Sequence, residues 1–273
     1  MFNKPPRLAI LAMWGIVLTA LFAPVNYIIL TPGDAVPLFP STVKLAKDVD
    51  IKSYPVNGQM HLLTIYVTNP ETTLLGYEVL ACWMQAECVT YPRFVYYDDK
   101  STNESEYKSS AVDMEDSQNV AVIAARNVLA KIAPDIDTSN LNNKTLKVNL
   151  DNVGGPSGGV IFTLGLIELL TPEDFLHGRT IAGTGTIDEF GNAGSIGGVS
   201  EKVIVAKKLG ASVIFVPVAN CDELPDEVEG ISVIAISTIE EALGYLRGPQ
   251  SSAGAGDKAL NSAGIHGCAN LGS

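Results

Sequence analysis

The sequence has few of the residues that most hydrolases use as a general base. Only three histidines occur, His61, His177 and His266. His61 lies in a predicted strand, His177 near the end of a predicted helix, and His266 in a tail of small residues, so none has a setting that suggests catalysis. The sequence therefore gives poor support to a Ser-His-Asp arrangement.

Motifs for metals, nucleotides and disulfide frameworks are also missing. The four cysteines are too few for a disulfide-based fold, and Cys82 and Cys88 are not expected to pair, because they fall on different faces of a predicted helix. Cys221 and Cys268 belong to no motif. Without C-x-x-C, His/Cys or Walker spacing, we expect no metal and no cofactor.

Basic clusters are absent from a chain whose net charge is −12. A nucleic-acid surface is therefore not expected. Hydrophobic residues make up 47% of the 273 residues, which is enough for a sizeable core in one large domain or two small ones.

An uncharged run, "LAILAMWGIVLTALFAPVNYIIL", follows Lys4 and Arg7 and covers residues 8–30. As a helix it would be roughly 34 Å long, enough to cross a bilayer. Pro24 and Asn26 weaken its end, so a cleaved signal peptide is the alternative. Because no clear A-x-A site is present, we predict an uncleaved single-pass anchor over residues 1–30. The two basic residues predict a cytoplasmic N-terminus and a cell-membrane protein whose main domain is extracytoplasmic.

The segment 31–247 alternates strands and helices and predicts an α/β domain. Strands are predicted at 58–70 and at "KTLKVNL", and a helix at 113–132. We expect a helix over 71–87, a polar loop at 96–110, a helix start at Thr171–Asp174 and a Ser237/Glu240 capping box. The tail, 248–273, is predicted to be disordered.

The stretch "NVGGPSGGVIF", residues 152–162, sets a serine among glycines. Gly155 and Gly158 allow a sharp turn that presents Ser157 just before a predicted helix, whose free N–H groups can hold an anion. The loop suits a nucleophile with its oxyanion hole. A phosphate-binding loop or a plain tight turn remains open on pattern alone.

Lysine is the other base known to activate serine, provided that its amine is neutral. In "VSEKVIVAKKLG" the helical period places Lys202 on the apolar stripe with Val199, Val205 and Leu209, while Lys207 falls on the other side. Burial and a first-turn position both lower a lysine pKa. The alternative is a structural lysine that extends to water from a partly buried face.

Two blocks, "GGPSGG" and "GTGTIDEFGNAGSIGGVSEKVIVAKKLGASVIFVP", resemble the proteolytic domain of Lon, and more closely the membrane-anchored Lon-like proteases of bacteria. The resemblance is strongest over 145–247, and "MEDSQNVA" is similar to another helix of the family. It implies a nucleophile at Ser157, a lysine base at Lys202 and a threonine at Thr184 that hydrogen-bonds the lysine amine. The implied fold is the Lon-type α/β proteolytic domain, with a ribosomal-protein-like β-α-β arrangement, behind one transmembrane helix.

The sequence departs from the family in three places. No Walker A motif accompanies the domain, so ATP-driven unfolding is not expected. About 25 residues separate Ala130 from Gly155, too few for the PDZ domain that many anchored relatives carry there. Gly154 replaces an acidic residue that some members place just before the Gly-Pro-Ser block.

The sequence therefore predicts an ATP-independent serine endopeptidase with a Ser157/Lys202 dyad, acting on polypeptides outside the cytoplasm. Thr184, Gly155 and Gly158 are the supporting residues, and a homo-oligomer is a possible partner state. A catalytically silent peptide-binding or scaffolding protein is one alternative, and a Ser-Lys amidase or esterase for small molecules is another.

Overall fold

The structure is a computed structural model that describes residues 6–45, 51–142, 146–148, 153–224, 228–248, 265–266 and 268. The chain divides into two compact units. Unit 1 comprises 1–32 and 66–106, and unit 2 comprises 33–65 and 107–273.

Helices and strands alternate along the described chain, as the sequence predicts for an α/β protein. The helices are α1 (Arg7–Phe22), α2 (Gly76–Trp83), α3 (Asn103–Ile132), α4 (Gly159–Leu170), α5 (Val199–Leu209) and α6 (Ile239–Arg247). The strands are β1 (Pro24–Val25), β2 (Tyr27–Pro37), β3 (Val43–Leu45), β4 (Gln59–Val67), β5 (Leu74–Leu75), β6 (Val89–Pro92), β7 (Leu146–Val148), β8 (Thr180–Gly183), β9 (Thr186–Ile187), β10 (Ala193–Gly194), β11 (Val213–Pro217), β12 (Ser232–Ile236) and β13 (Ile265–His266).

Unit 1 is built from α1, α2 and short antiparallel strand pairs. β1 pairs with β5, and residues Tyr27–Leu30 of β2 pair with β6. Its small core contains the buried side chains of Ile28, Leu30, Leu74, Val79 and Cys82.

The predicted helix over 8–30 ends early. α1 stops at Phe22, and Pro24 begins a strand, because proline has no N–H to continue a helix and the following residues find strand partners. Sixteen helical residues span about 24 Å. Among the described residues, no helix combines the length and apolarity needed to cross a membrane.

Unit 2 contains a parallel sheet in the order β13–β12–β11–β8–β4, with every pairing parallel. The sheet separates two apolar cores. Side chains of α3, α4 and α6 pack with Ile181 and Phe215 on one face, and side chains of α5 pack with Ala182 and Ile214 on the other. Successive residues of a strand point to opposite faces of the sheet. Adjacent residues of β8, and likewise of β11, therefore pack against the helices of different layers.

Several predicted elements need correction at their ends. α3 begins at Asn103, inside the predicted loop 96–110, because Thr102 and Ser105 exchange hydrogen bonds of 2.9 and 3.1 Å that cap the helix. No helix starts at Thr171–Asp174, where the Asp174 carboxylate instead accepts the His177 N–H in a turn. The N-cap of α6 is Thr238, one residue later than the predicted Ser237/Glu240 box. Its hydroxyl accepts the Glu241 N–H, and the Glu241 carboxylate accepts the Ser237 N–H.

The cysteine prediction was wrong. Cys82 and Cys88 form a disulfide, because α2 ends at Trp83 and the chain turns back before Cys88. A second disulfide joins Cys221 to Cys268.

Most of the predicted disordered tail, 248–273, lies outside the described residues. Within it, Ile265–His266 pairs in parallel with Val233–Ile234 of β12, and Cys268 is held by its disulfide to Cys221. These residues are therefore part of unit 2. The small polar residues of the tail had predicted disorder for them instead.

Candidate active site

Ser157 lies in a single 3₁₀ turn, Pro156–Gly158, that runs directly into α4. Gly155 precedes the turn with φ of 89°, a conformation that L side chains rarely adopt, so glycine is required there. Gly158 is buried, and a Cβ at this position would meet the Phe162 ring at 2.6 Å. The two glycines allow a half-buried serine to occupy the N-terminal end of a buried helix.

Helix α3 also hydrogen-bonds the Ser157 loop. Gly155 N–H donates to Ser110 O at 2.8 Å, and the Ser117 hydroxyl donates to Pro156 O at 2.9 Å. A Cβ on Gly154 would lie 2.5 Å from Ser110 Cβ. An acidic side chain at position 154 would collide with α3, which explains why glycine stands there.

Residues directly after β8 hydrogen-bond the Ser157 loop. The Ser157 carbonyl accepts the Gly185 N–H at 2.9 Å and the Thr184 hydroxyl at 3.2 Å, and Val160 N–H donates to Gly185 O at 3.1 Å. Thr184 is fully buried. Its hydroxyl contacts the Ser157 backbone, a partner that the sequence did not indicate, and its oxygen retains lone pairs for a further donor.

Lys202 lies in the first turns of α5 with its side chain 3% exposed. Burial lowers the pKa of Lys202 to about 8, and the neighbouring Glu201 carboxylate opposes the shift in part. Lys207 and Lys208 of the same helix are exposed. The helical period therefore predicted the inward-facing lysine correctly.

Asn220 anchors the segment that leads into α5, and sequence reasoning did not single it out. It is 1% exposed, its Oδ1 accepts Ile196 N–H at 3.0 Å, and its Nδ2 donates to Ile196 O at 2.8 Å and Glu223 Oε1 at 2.7 Å. The Ser200 hydroxyl also donates to Glu223 O. An asparagine in the turn that follows the buried strand "VIFVP" was the available signal, since buried polar side chains are almost always hydrogen-bonded.

The starts of α4 and α5 lie at the same edge of the sheet, one on each face. At the start of α4, Val160 N–H bonds Gly185 O just after β8, and the segment before α5 bonds Asn220 just after β11, which runs parallel to β8. Thr184 and Gly185, directly after β8, contact the Ser157 loop. In the described part of the chain no hydrogen bond joins Lys202 Nζ to Ser157 Oγ or to the Thr184 hydroxyl.

The histidines lie elsewhere. His177 is exposed before β8, at the opposite edge from Thr184, beside the Asp174 carboxylate at 4.0 Å. His61 is buried within β4, opposite Ala182 in register, and its Nδ1 has no hydrogen-bond partner. Burial lowers the pKa of His61. The side chain of His266 lies outside the described structure. Neither described histidine reaches the serine loop.

Comparison with known proteins identifies the domain to which the candidate site belongs. The Lon protease (S16) C-terminal proteolytic domain matches residues 111–246. Lon protease of Koribacter versatilis is 40% identical over 94 residues, 33% of this chain and 11% of that protein. Lon protease 2 of Bacillus subtilis is 33% identical over 93 residues, and the archaeal Lon protease of Methanocaldococcus jannaschii is 34% identical over 111, each match covering 16% of the relative.

The chain thus spans less than a fifth of the length of these curated relatives. The matched region contains the serine loop, β8, α5 and the Asn220 turn. The chain contains a Lon protease C-terminal proteolytic domain, and these similarities support a serine-type endopeptidase.

Proposed function

We propose that the chain hydrolyses peptide bonds with Ser157 as nucleophile and Lys202 as general base. One observation carries the proposal: Lys202 is buried in the first turns of α5 with its pKa lowered to about 8, and α5 begins at the same edge of the sheet as α4, whose N-terminus follows Ser157. Lysine is almost never fully buried unless it is paired, and strongly shifted pKa values cluster at functional sites.

The neutral Lys202 amine takes the Ser157 hydroxyl proton as Oγ attacks the peptide carbonyl carbon. The resulting ammonium then returns the proton to the leaving amine, and the acyl-enzyme is hydrolysed by water with Lys202 again as base. Thr184 donates its own proton to the Ser157 carbonyl, so its oxygen can accept a hydrogen bond from the Lys202 amine. In this role Thr184 orients the base and holds the nucleophile loop.

The N-terminus of α4 supplies the oxyanion site. The Gly159 and Val160 N–H groups already donate to Pro156 O and Gly185 O. We therefore assign the oxyanion to the N–H groups of Ser157 and Gly158. The positive end of the helix dipole favours the developing charge there.

The substrate we propose is an unfolded or flexible polypeptide, cleaved without ATP, because the sequence carries no nucleotide-binding loop. Purified protein should cleave an unstructured polypeptide without nucleotide, and a serine-directed covalent probe should label Ser157. Ser157→Ala is the control that must lose both.

Two results would contradict this assignment. An intact, folded protein that neither cleaves polypeptides nor reacts with the probe would be the silent peptide-binding relative. Turnover of small esters or amides with no cleavage of any polypeptide would make the chain a small-molecule hydrolase.

We propose further that α1 associates with a cell membrane and that the catalytic domain lies outside the cytoplasm. Leu8, Leu11 and Ile16 of α1 are exposed although the helix contains only one charged residue, Arg7. A helix that is apolar all round is normally covered by protein or lipid. The disulfides Cys82–Cys88 and Cys221–Cys268 support an oxidising, extracytoplasmic compartment.

Fractionation and protease protection test this placement. The protein should sediment with membranes, and protease added to spheroplasts should cleave within the exposed Asp98–Lys100 turn. Recovery in the soluble fraction would remove the membrane proposal, and full protection of that turn would reverse the orientation.

A further inference from the structure

The outward face of α2 is apolar, the reverse of an ordinary surface helix. Tyr77, Leu80 and Trp83 of α2, with Met84 at its C-cap, recur at helical spacing and are 44%, 45%, 66% and 75% exposed. Val79 and Cys82 occupy the buried face. A helix in water normally places charged and polar residues outward, so these four side chains mark a surface that is covered in the working protein.

This face continues the apolar surface of α1. The Phe22 and Tyr77 rings lie 5.9 Å apart, and Gly76 N–H donates to Ala23 O at 3.1 Å. A Cβ on Gly76 would lie 2.1 Å from Ala20 O, so only glycine permits this close approach. Pairing of β1 with β5 fixes the same junction, and the Cys82–Cys88 disulfide closes the other end of α2. The two helices therefore present one fixed apolar surface.

We propose that the outward face of α2 is a membrane-contact surface that lies in the headgroup region of the bilayer that α1 enters. This inference rests on the membrane association of α1 proposed above. Continuity through Phe22 and Tyr77 makes lipid the occupant, because whatever covers the end of α1 reaches α2 directly. Tryptophan is common at the depth of the headgroups. The indole N–H of Trp83 is satisfied by Thr90 Oγ1 at 2.8 Å, so its exposed ring can contact acyl chains without leaving a donor unpaired.

Two tryptophans, Trp14 in α1 and Trp83 in α2, make the proposal measurable. The full chain is reconstituted into phosphatidylcholine vesicles that carry bromine either near the headgroups or near the bilayer centre. In Trp14→Phe, the Trp83 emission should fall by about half with shallow bromine and little with deep bromine, as expected for an interfacial ring. In Trp83→Phe, the Trp14 emission should be quenched mainly by deep bromine.

The outcomes separate this inference from its premise. Quenching of Trp14 with none of Trp83 overturns the α2 surface and leaves the membrane association of α1 intact. Absence of quenching at both positions overturns the membrane association and, with it, this inference.

A matched pair of lysine substitutions tests which occupant covers the face. Leu80→Lys should reduce the shallow quenching of Trp83, whereas Ile123→Lys, on α3 and 40% exposed, should not. If Leu80→Lys instead dissociated a dimer seen by sedimentation and left the quenching unchanged, a second copy would be the occupant and the proposal would be wrong.

Discussion

Helices α2 and α5 break the ordinary amphipathic pattern in opposite directions. α5 carries a lysine into the core, with Lys202 3% exposed, while α2 turns Tyr77 and Trp83 outward. A buried amine is unfavourable because its charge loses water, and an exposed apolar face is unfavourable because water must cover it. The two proposals give each deviation a second component, a peptide bond for Lys202 and a bilayer for α2.

The difference lies in what each deviation does to the isolated protein. Lys202 imposes its penalty on the folded state itself, so its replacement should alter stability as well as activity. The outward side chains of α2 contribute little to the fold and should be replaceable without loss of stability. The following predictions test this contrast.

The largest effect is expected from the dyad. Ser157→Ala and Lys202→Ala should each lower kcat/KM by about three orders of magnitude or more, and the double variant should be little worse, because the two groups act as a unit. Lys207→Ala, on the exposed face of α5, is the matched control and should keep wild-type kinetics. Substantial peptidase activity in Lys202→Ala would refute the dyad.

The pH profile tests the buried amine directly. Because only neutral Lys202 can accept a proton, log kcat/KM should rise by about one per pH unit and level off near the Lys202 pKa of about 8. Lys202→Arg should not restore activity, since guanidinium stays charged. A profile that levels off near pH 6 would point to a histidine.

Stability should respond to the same group. The folded pKa of about 8 lies below the ordinary lysine value of 10.5, so wild-type stability should rise between those two pH values as the folded state loses its proton. At pH 7 Lys202→Met should therefore raise the free energy of unfolding by up to about 3 kcal/mol. Denaturant titration measures this, and Lys207→Met should change it by no more than about 0.5 kcal/mol.

The smallest effect is expected on the outward face of α2. Leu80→Ser should change the free energy of unfolding in detergent by less than about 0.5 kcal/mol. Val79→Ser, on the buried face of the same helix, should lower it by about 2 kcal/mol, because burial of valine is lost. Equal losses at both positions would mean that the α2 face packs against protein.

Local patterns predicted much of unit 2. The strand predicted at 58–70, the helix predicted at 113–132 and the apolar stripe of α5 follow from residues within one or two turns of each other, and the structure has β4, α3 and α5 there. Burial of Lys202 follows from the same stripe. The predicted ends of elements were wrong where a capping contact decides them. The start of α3 is an example, because the Thr102 and Ser105 hydrogen bonds cap the helix inside the predicted loop.

Helical period and glycine freedom are local properties, so neighbouring residues were enough to predict that Ser157 precedes a helix behind a glycine turn and that Lys202 faces inward. Four features required the folded chain: the common edge at which α4 and α5 begin, the hydrogen bonds of Asn220 to Ile196, the Cys82–Cys88 disulfide and the strand that starts at Pro24. Each of these depends on partners contributed by another segment of the chain, and no window of neighbouring residues contains both sides of such a contact.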